Sequence, residues 1–356
     1  MKLIGLLLLA ALLEGTASQY TDGYFNWLAR ILGYSRPRQQ YYYGGGDPVT
    51  PMAADCPAEC TCPPILPTAM YCDTRRLKHI PSIPARMKYV YLQDNQIEAI
   101  PDGAFDNATG LVWIALHRNK ISNEKMSNQV FSKLKNLERL YLGHNNLTSI
   151  PHPLPRSLRE LRIAGNKISK VQTNSLEGLD NLTTLLLNDN QLEDVGSSLK
   201  DLKSLSILDL SNNHLKKVPQ VLPDTVHQLY LDFNHISTIP SEYFKQFLKL
   251  QYARISNNEL TDQGIPFNAF NVSSLIELDL SHNKLKTVPS VSENLENLYL
   301  HANRINEIKM DSFCGTMGIM NFSKIRVLRL DGNSIRQERL PEEIHHCLRQ
   351  ARIIDI

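Results

Sequence analysis

One short phrase returns eleven times along the chain: apolar, two variable residues, apolar, variable, apolar, two variable, Asn, variable, apolar. It reads MKYVYLQDNQI at 87–97, LERLYLGHNNL at 137–147, LSILDLSNNHL at 205–215, LIELDLSHNKL at 275–285 and IRVLRLDGNSI at 325–335. The asparagines are Asn95, Asn119, Asn145, Asn166, Asn190, Asn213, Asn234, Asn258, Asn283, Asn303 and Asn333, spaced by 20 to 26 residues until a last interval of 30. A degenerate twelfth unit, Met70 to Leu77, precedes them. A unit this short cannot bury its apolar side alone, so copies must stack into a quasi-one-dimensional array whose two ends need caps. The middle of each phrase alternates apolar and polar, which is a short strand with its leucines inward and the intervening residues on an open face. Stacked copies make a parallel sheet. The asparagine turns inward to satisfy backbone groups where the chain leaves the strand. Prolines on the return path, as in Ile100-Pro101, Ile150-Pro151 and Val288-Pro289, disfavour regular helix there. The spacing therefore predicts one curved solenoid, with a parallel sheet on its concave face and irregular or 3₁₀ segments on its convex side.

The six cysteines lie where such an array needs covering. Cys56, Cys60, Cys62 and Cys72 form C-x3-C-x-C-x9-C just before the first clear repeat, and Cys314 and Cys347 bracket the last one. Four thiolates can also bind zinc, but residues 1–18 carry Lys2, an apolar run from Leu3 to Leu13 and small residues before Gln19, the pattern of a cleavable export signal. Export favours disulfides. The apolar run is too short for a bilayer, which takes about 20 residues, so no membrane insertion is expected. Residues 19–55 are a flexible, Tyr-containing tail; Tyr20 and Tyr24, near Asp22, and Tyr41, Tyr42 and Tyr43, near Asp47, are candidates for sulfation, against an unmodified spacer. A Cys-rich cap with the degenerate first repeat follows at 56–77 and the repeats at 78–356. With 38 Lys+Arg against 36 Asp+Glu, the chain is not a globally basic nucleic-acid binder.

The cysteine cap, repeats alternating near 21 and 24 residues, the elongated penultimate repeat and the C-terminal cysteine pair resemble the small leucine-rich proteoglycans over residues 56–356. CPPILPTAMYCD, VFSKLKNLERLYLGHNNLTSIP, PLPRSLREL and RVLRLDGNSI are similar to their keratan-sulfate branch. The resemblance implies an α/β-type leucine-rich-repeat solenoid with disulfide caps at both ends, paired Cys56 to Cys62, Cys60 to Cys72 and Cys314 to Cys347, and a protruding "ear" in the 303–333 interval. It implies a secreted extracellular-matrix protein that binds fibrillar collagen, type I or II, and regulates fibril assembly. The alternative is a soluble ligand trap for a growth factor such as transforming growth factor beta.

Five sequons, at Asn107, Asn146, Asn181, Asn271 and Asn321, avoid the inward repeat positions, so each can carry a sugar chain without emptying the core. The resemblance adds that some chains are extended to keratan sulfate. The residue between the last two apolar strand positions faces outward in every unit: Tyr91, Ala115, Tyr141, Arg162, Leu186, Asp209, Tyr230, Arg254, Asp279, Tyr299 and Arg329. Tyrosines give large contacts at low entropic cost and charged groups can pair with a polar, extended ligand; the rival readings are a solvated face or one buried in a homodimer. For collagen the candidates are Arg326, Arg329, Asp331 and Arg336, then Glu277 and Asp279; Ser334 stands where the resemblance implies an acidic residue. No enzyme is visible: there is no phosphate-cradling loop and no nucleophile elbow. His345-His346 beside Glu342-Glu343 read as a capping segment before a metal site, and no cofactor is implied.

Overall fold

A computed structural model describes residues 54–314, 322–336 and 340–356. The export signal, the tail up to residue 53 with its five candidate tyrosines and Asn321 lie outside the described residues.

Thirteen three-residue strands form one sheet in strict chain order: β1 (Ala69–Tyr71), β2 (Tyr89–Tyr91), β3 (Trp113–Ala115), β4 (Arg139–Tyr141), β5 (Glu160–Arg162), β6 (Thr184–Leu186), β7 (Ile207–Asp209), β8 (Gln228–Tyr230), β9 (Tyr252–Arg254), β10 (Glu277–Asp279), β11 (Asn297–Tyr299), β12 (Val327–Arg329) and β13 (Ile353–Asp355). Every neighbouring pair is parallel and in register by repeat position, for example Leu140 against Leu161 and Leu298 against Leu328. The mid-strand residues from Met70 to Leu328 are all wholly buried. The chain is therefore a leucine-rich-repeat solenoid, and its core is one continuous apolar column.

The repeat asparagine makes this column possible. Asn119 Oδ1 accepts the Ile97 N–H at 3.0 Å, while its Nδ2 donates to Leu92 O at 2.9 Å and Leu116 O at 3.0 Å. The same bonds recur at every repeat down to Asn333, which accepts from Ile305 N and donates to Leu300 O and Leu330 O. One side chain thus satisfies groups in two successive repeats that no strand partner reaches. The residue before each asparagine is left-handed in all eleven repeats, from Asp94 (φ 57°) to Gly332 (φ 72°). Nine of these eleven are not glycine, although the conformation costs about 1–2 kcal/mol for an L-residue; the corner is held by the asparagine bonds on either side of it. Gly165 is one of the two glycines, and a Cβ there would lie 2.5 Å from the His144 ring.

The convex arcs contain short 3₁₀ turns at Asn123–Lys125, Tyr243–Gln246, Asp262–Gly264 and Met310–Ser312. The longer repeats fill the extra volume with aromatic rings: Phe105 stacks on Phe131 at 5.9 Å and Phe244 packs on Phe270 at 5.3 Å. A single α-helix among the described residues, α1 (Ile344–Cys347), belongs to the C-terminal cap.

Three disulfides close, Cys56–Cys62, Cys60–Cys72 and Cys314–Cys347, and no cysteine is free. At the N-terminal end Thr61 forms an antiparallel bridge with Tyr71, so the outer edge of β1 is covered. The C-terminal end differs from the repeat pattern. β13 has no asparagine unit, and its mid-strand residue Ile354 is 37% exposed.

Candidate binding face

Because strands alternate, the first and third residues of each strand share the open face. The third residues are the row read from the repeat, to which the structure adds Tyr71 at one end and Asp355 at the other. The first residues form a second row that the sequence reading left out apart from Glu277. It contains Tyr89, Trp113, Arg139, Glu160 and Tyr252.

Over β1 to β5 the two rows interlock as an aromatic and guanidinium stack. Tyr71 and Tyr91 are parallel at 4.8 Å, and Trp113 lies edge-on between Tyr91 at 5.5 Å and Tyr141 at 5.2 Å. Ala115 makes room for this, since a larger third residue on β3 would occupy the place of the indole. The Arg139 guanidinium sits 5.3 Å from the Trp113 ring and that of Arg162 4.6 Å from Tyr141. Glu160 lies between the two arginines and ion-pairs with both. Burial, with neighbouring Tyr71 and Tyr89, pushes the Tyr91 phenol up to about 12; burial also holds the His117 imidazole down at about 4, so it is neutral.

Over β7 to β10 the face is carboxylate-rich. Asp209 Oδ1 accepts the Ser211 N–H at 2.9 Å and Asp232 Oδ1 the Ser256 N–H at 2.7 Å. Burial raises their carboxyls to about 6 and about 7, with the Asp279 carboxylate pushing Asp232 further. Arg254 donates to Glu277 through both Nε (2.9 Å) and Nη2 (2.7 Å) and lies over Tyr230.

The six candidate collagen contacts do not form one patch. Arg329 chelates Asp331 at 3.0 and 2.9 Å and reaches Asp355 at 3.7 Å. The hydrogen bond from Arg329 holds the Asp331 carboxyl below its usual range. Glu277 and Asp279 lie two strands away on β10, Glu277 buried against Arg254 and Asp279 accepting the Ser281 N–H. Arg326 precedes β12, exposed and paired with Glu296 at 3.1 Å, whereas exposed Arg336 follows the strand on the opposite edge. Of the collagen candidates, Arg329 and Asp331, joined by Asp355, thus form a compact charged group. The second strand of that group, β13, could not be read from the repeat because ARIIDI lacks the asparagine phrase.

The sequon asparagines at 107, 146, 181 and 271 are all exposed. Ser323, the hydroxyl residue of the Asn321 sequon, is wholly buried and its N–H bonds Cys347 O. Among the described residues no three His, Cys, Asp or Glu side chains are placed to hold a metal ion, and no helix is long and apolar enough to cross a membrane.

Residues 55–84 match the Leucine rich repeat N-terminal domain family, 85–147 and 156–215 the Leucine rich repeat family, and 225–329 the BspA type Leucine rich repeat region. The chain is 52% identical to fibromodulin of Bos taurus and 50% to fibromodulin of Homo sapiens, in both cases with the whole of each chain covered. It belongs to the small leucine-rich proteoglycan family. Lumican of Gallus gallus is 51% identical, with 89% of this chain and 94% of lumican aligned. Among solved structures, a chain in the octameric complex of latrophilin 3, Unc5D and FLRT2 superposes with a TM-score of 0.66 at 26% identity, covering 84% of this chain and 83% of that one. Small leucine-rich proteoglycans are structural matrix proteins, not enzymes.

Proposed function

We propose that the chain is a secreted matrix protein that binds fibrillar collagen, type I or II, along the open face of its sheet and limits lateral fibril growth. The observation that carries this reading is the composition of that face. It offers a long row of stacked tyrosines and tryptophan, then paired charges around Arg254 and Arg329, with the spacing of a parallel sheet, about 4.8 Å from strand to strand. An extended partner can follow such a row over many strands, and Arg and Asp side chains that are already paired are pre-organised for exchange with a partner's charges. Chains on the exposed sequons, some extended as keratan sulfate, and sulfated Tyr20, Tyr24 and Tyr41 to Tyr43 would add hydrated, anionic bulk at the fibril surface.

The deciding experiment is turbidity of fibril-forming collagen with the glycosylated, disulfide-bonded protein, together with direct binding to triple-helical and heat-denatured collagen. Delayed fibril formation with binding lost on denaturation is expected. No effect on either would overturn the collagen reading in favour of a soluble trap for a growth factor such as transforming growth factor beta, and sedimentation that shows a dimer with tyrosines protected would assign the face to self-association.

A further inference from the structure

Between the convex arcs of the repeats that follow Asn119, Asn145 and Asn166 lies a cleft of about 250 Å³. It sits beside the longest regular interval of the array, 26 residues, whose extra chain forms one wall. Met126, buried Ile150 and Pro151 supply apolar surface, and Ser127, Gln172 and Asn123 supply hydroxyl and amide groups. None of the lining residues is Asp, Glu, Lys or Arg. His152 is the one ionisable side chain in the lining, so a strongly charged ligand would find little to pair with there. Amide and hydroxyl groups around an apolar patch instead suit a neutral sugar, whose hydroxyls take hydrogen bonds while its C–H face takes apolar contact.

Such a sugar has a root close by. Asn146 is exposed and begins the sequon Asn146-Leu147-Thr148. Leu147 is a core residue, wholly buried, and Thr148 gives its N–H (2.7 Å) and its hydroxyl (3.2 Å) to Asn123 Oδ1. Ser149 adds a third bond to the same oxygen and its carbonyl accepts from Asn123 Nδ2 at 3.1 Å. Thr148 and Ser149, which follow the root, are therefore clamped to a residue of the cleft wall, and Ser149, three residues from the root, lines the cleft; the Asn146 amide itself donates to Lys120 O at 3.5 Å. Three residues span at most about 10 Å of chain, within reach of the first sugars. A fixed root also lowers the entropy lost when the sugar docks.

Resting on the reading that Asn146 is glycosylated, we infer that this cleft seats the first, neutral sugars of the Asn146-linked chain. The chain then leaves the molecule along the convex side instead of projecting freely from the edge of the sheet.

The test is release of that chain by a peptide-N-glycosidase from the native glycoprotein, followed by glycopeptide mass spectrometry. Ser127→Trp fills the cleft and Gln172→Ala removes one of its hydrogen-bonding groups; circular dichroism checks that both fold. Docking predicts release at Asn146 about tenfold slower in the wild type than in Ser127→Trp, the effect of one or two net hydrogen bonds, with Gln172→Ala between them and the Asn107 and Asn271 chains unaffected. Equal rates in all three proteins, with Asn146 occupied, would overturn the docking alone. An unmodified Asn146 would overturn it together with the glycosylation reading.

Discussion

At the scale of single residues, the asparagines carry more of the fold than their number suggests. Asn213 is 3% exposed, accepts the Leu192 N–H and donates to the carbonyls of Leu187 and Leu210. Asn213→Ala strands these three groups, and denaturant unfolding should show a loss of about 3 kcal/mol or more. Asn213→Asp, of the same shape, should be nearly as costly, because its carboxylate would face two carbonyls. Asp262 plays a milder version of the same part on the convex side, bonding the N–H groups of Lys286 and Thr287 at 2.9 Å each. Burial opposes its charge, but the Thr287 hydroxyl and the two N–H groups outweigh it and keep the pKa below the usual value. The unfolded chain therefore takes up this proton more readily than the folded one, so the contribution is full at neutral pH and is lost as pH falls below about 4. Thermal melts from pH 7 to pH 3 should show Asp262→Asn losing less stability than the wild type over that window; Asn123 makes the equivalent bonds to Thr148 and Ser149 with an amide. The inward role of the repeat asparagine was legible from spacing alone. The left-handed residue before it was not, because Asp, Arg, His, Phe and Ala share that position and no residue type marks it.

Among the elements, the repeat strands were legible, with the degenerate unit from Met70 marking β1 as well, and β13 was not. Eleven strand positions follow from the phrase, since buried leucines must alternate with outward residues. The Trp113 and Arg139 row was equally implied by that alternation, but side-chain reach across strands depends on a small neighbour, Ala115, which pattern reading does not weigh. β13 was invisible because ARIIDI lacks the asparagine phrase, although Arg326 O accepts from Arg352 N and Ile353 N as at the other strand junctions, with the Cys314–Cys347 bond behind it. That bond closes a separation of 33 residues, worth about 3–4 kcal/mol on the chain-entropy estimate. Cys314→Ser with Cys347→Ser should leave the spectrum of the sheet nearly intact while hydrogen exchange at 325–330 and 353–355 accelerates toward that of a frayed end. Unchanged exchange there would show that α1 and its packing hold the cap without the bond.

For the whole molecule, binding and stability distribute differently. Stability is a sum over neighbouring repeats, whereas the proposed collagen contacts gather at particular strands. Arg329→Ala with Arg336→Ala should weaken collagen binding severalfold while secretion and circular dichroism stay normal. Loss of Arg329 leaves Asp331 and Asp355 without their shared cation, so Asp331→Asn added to the double variant should recover part of any lost stability and none of the binding. The Cys314–Cys347 bond has one more consequence, which concerns force. Tension entering the chain beyond Cys347 passes through the sulfurs to Cys314 and bypasses everything between them. β13, which lies beyond Cys347, is drawn off β12 first; β12 itself sits inside the bypassed loop, so the next coil to peel is the one that ends at β11. A molecule held at this end would shed its edge strand and then yield on the inner side of its last repeat, which stays joined through the sulfurs.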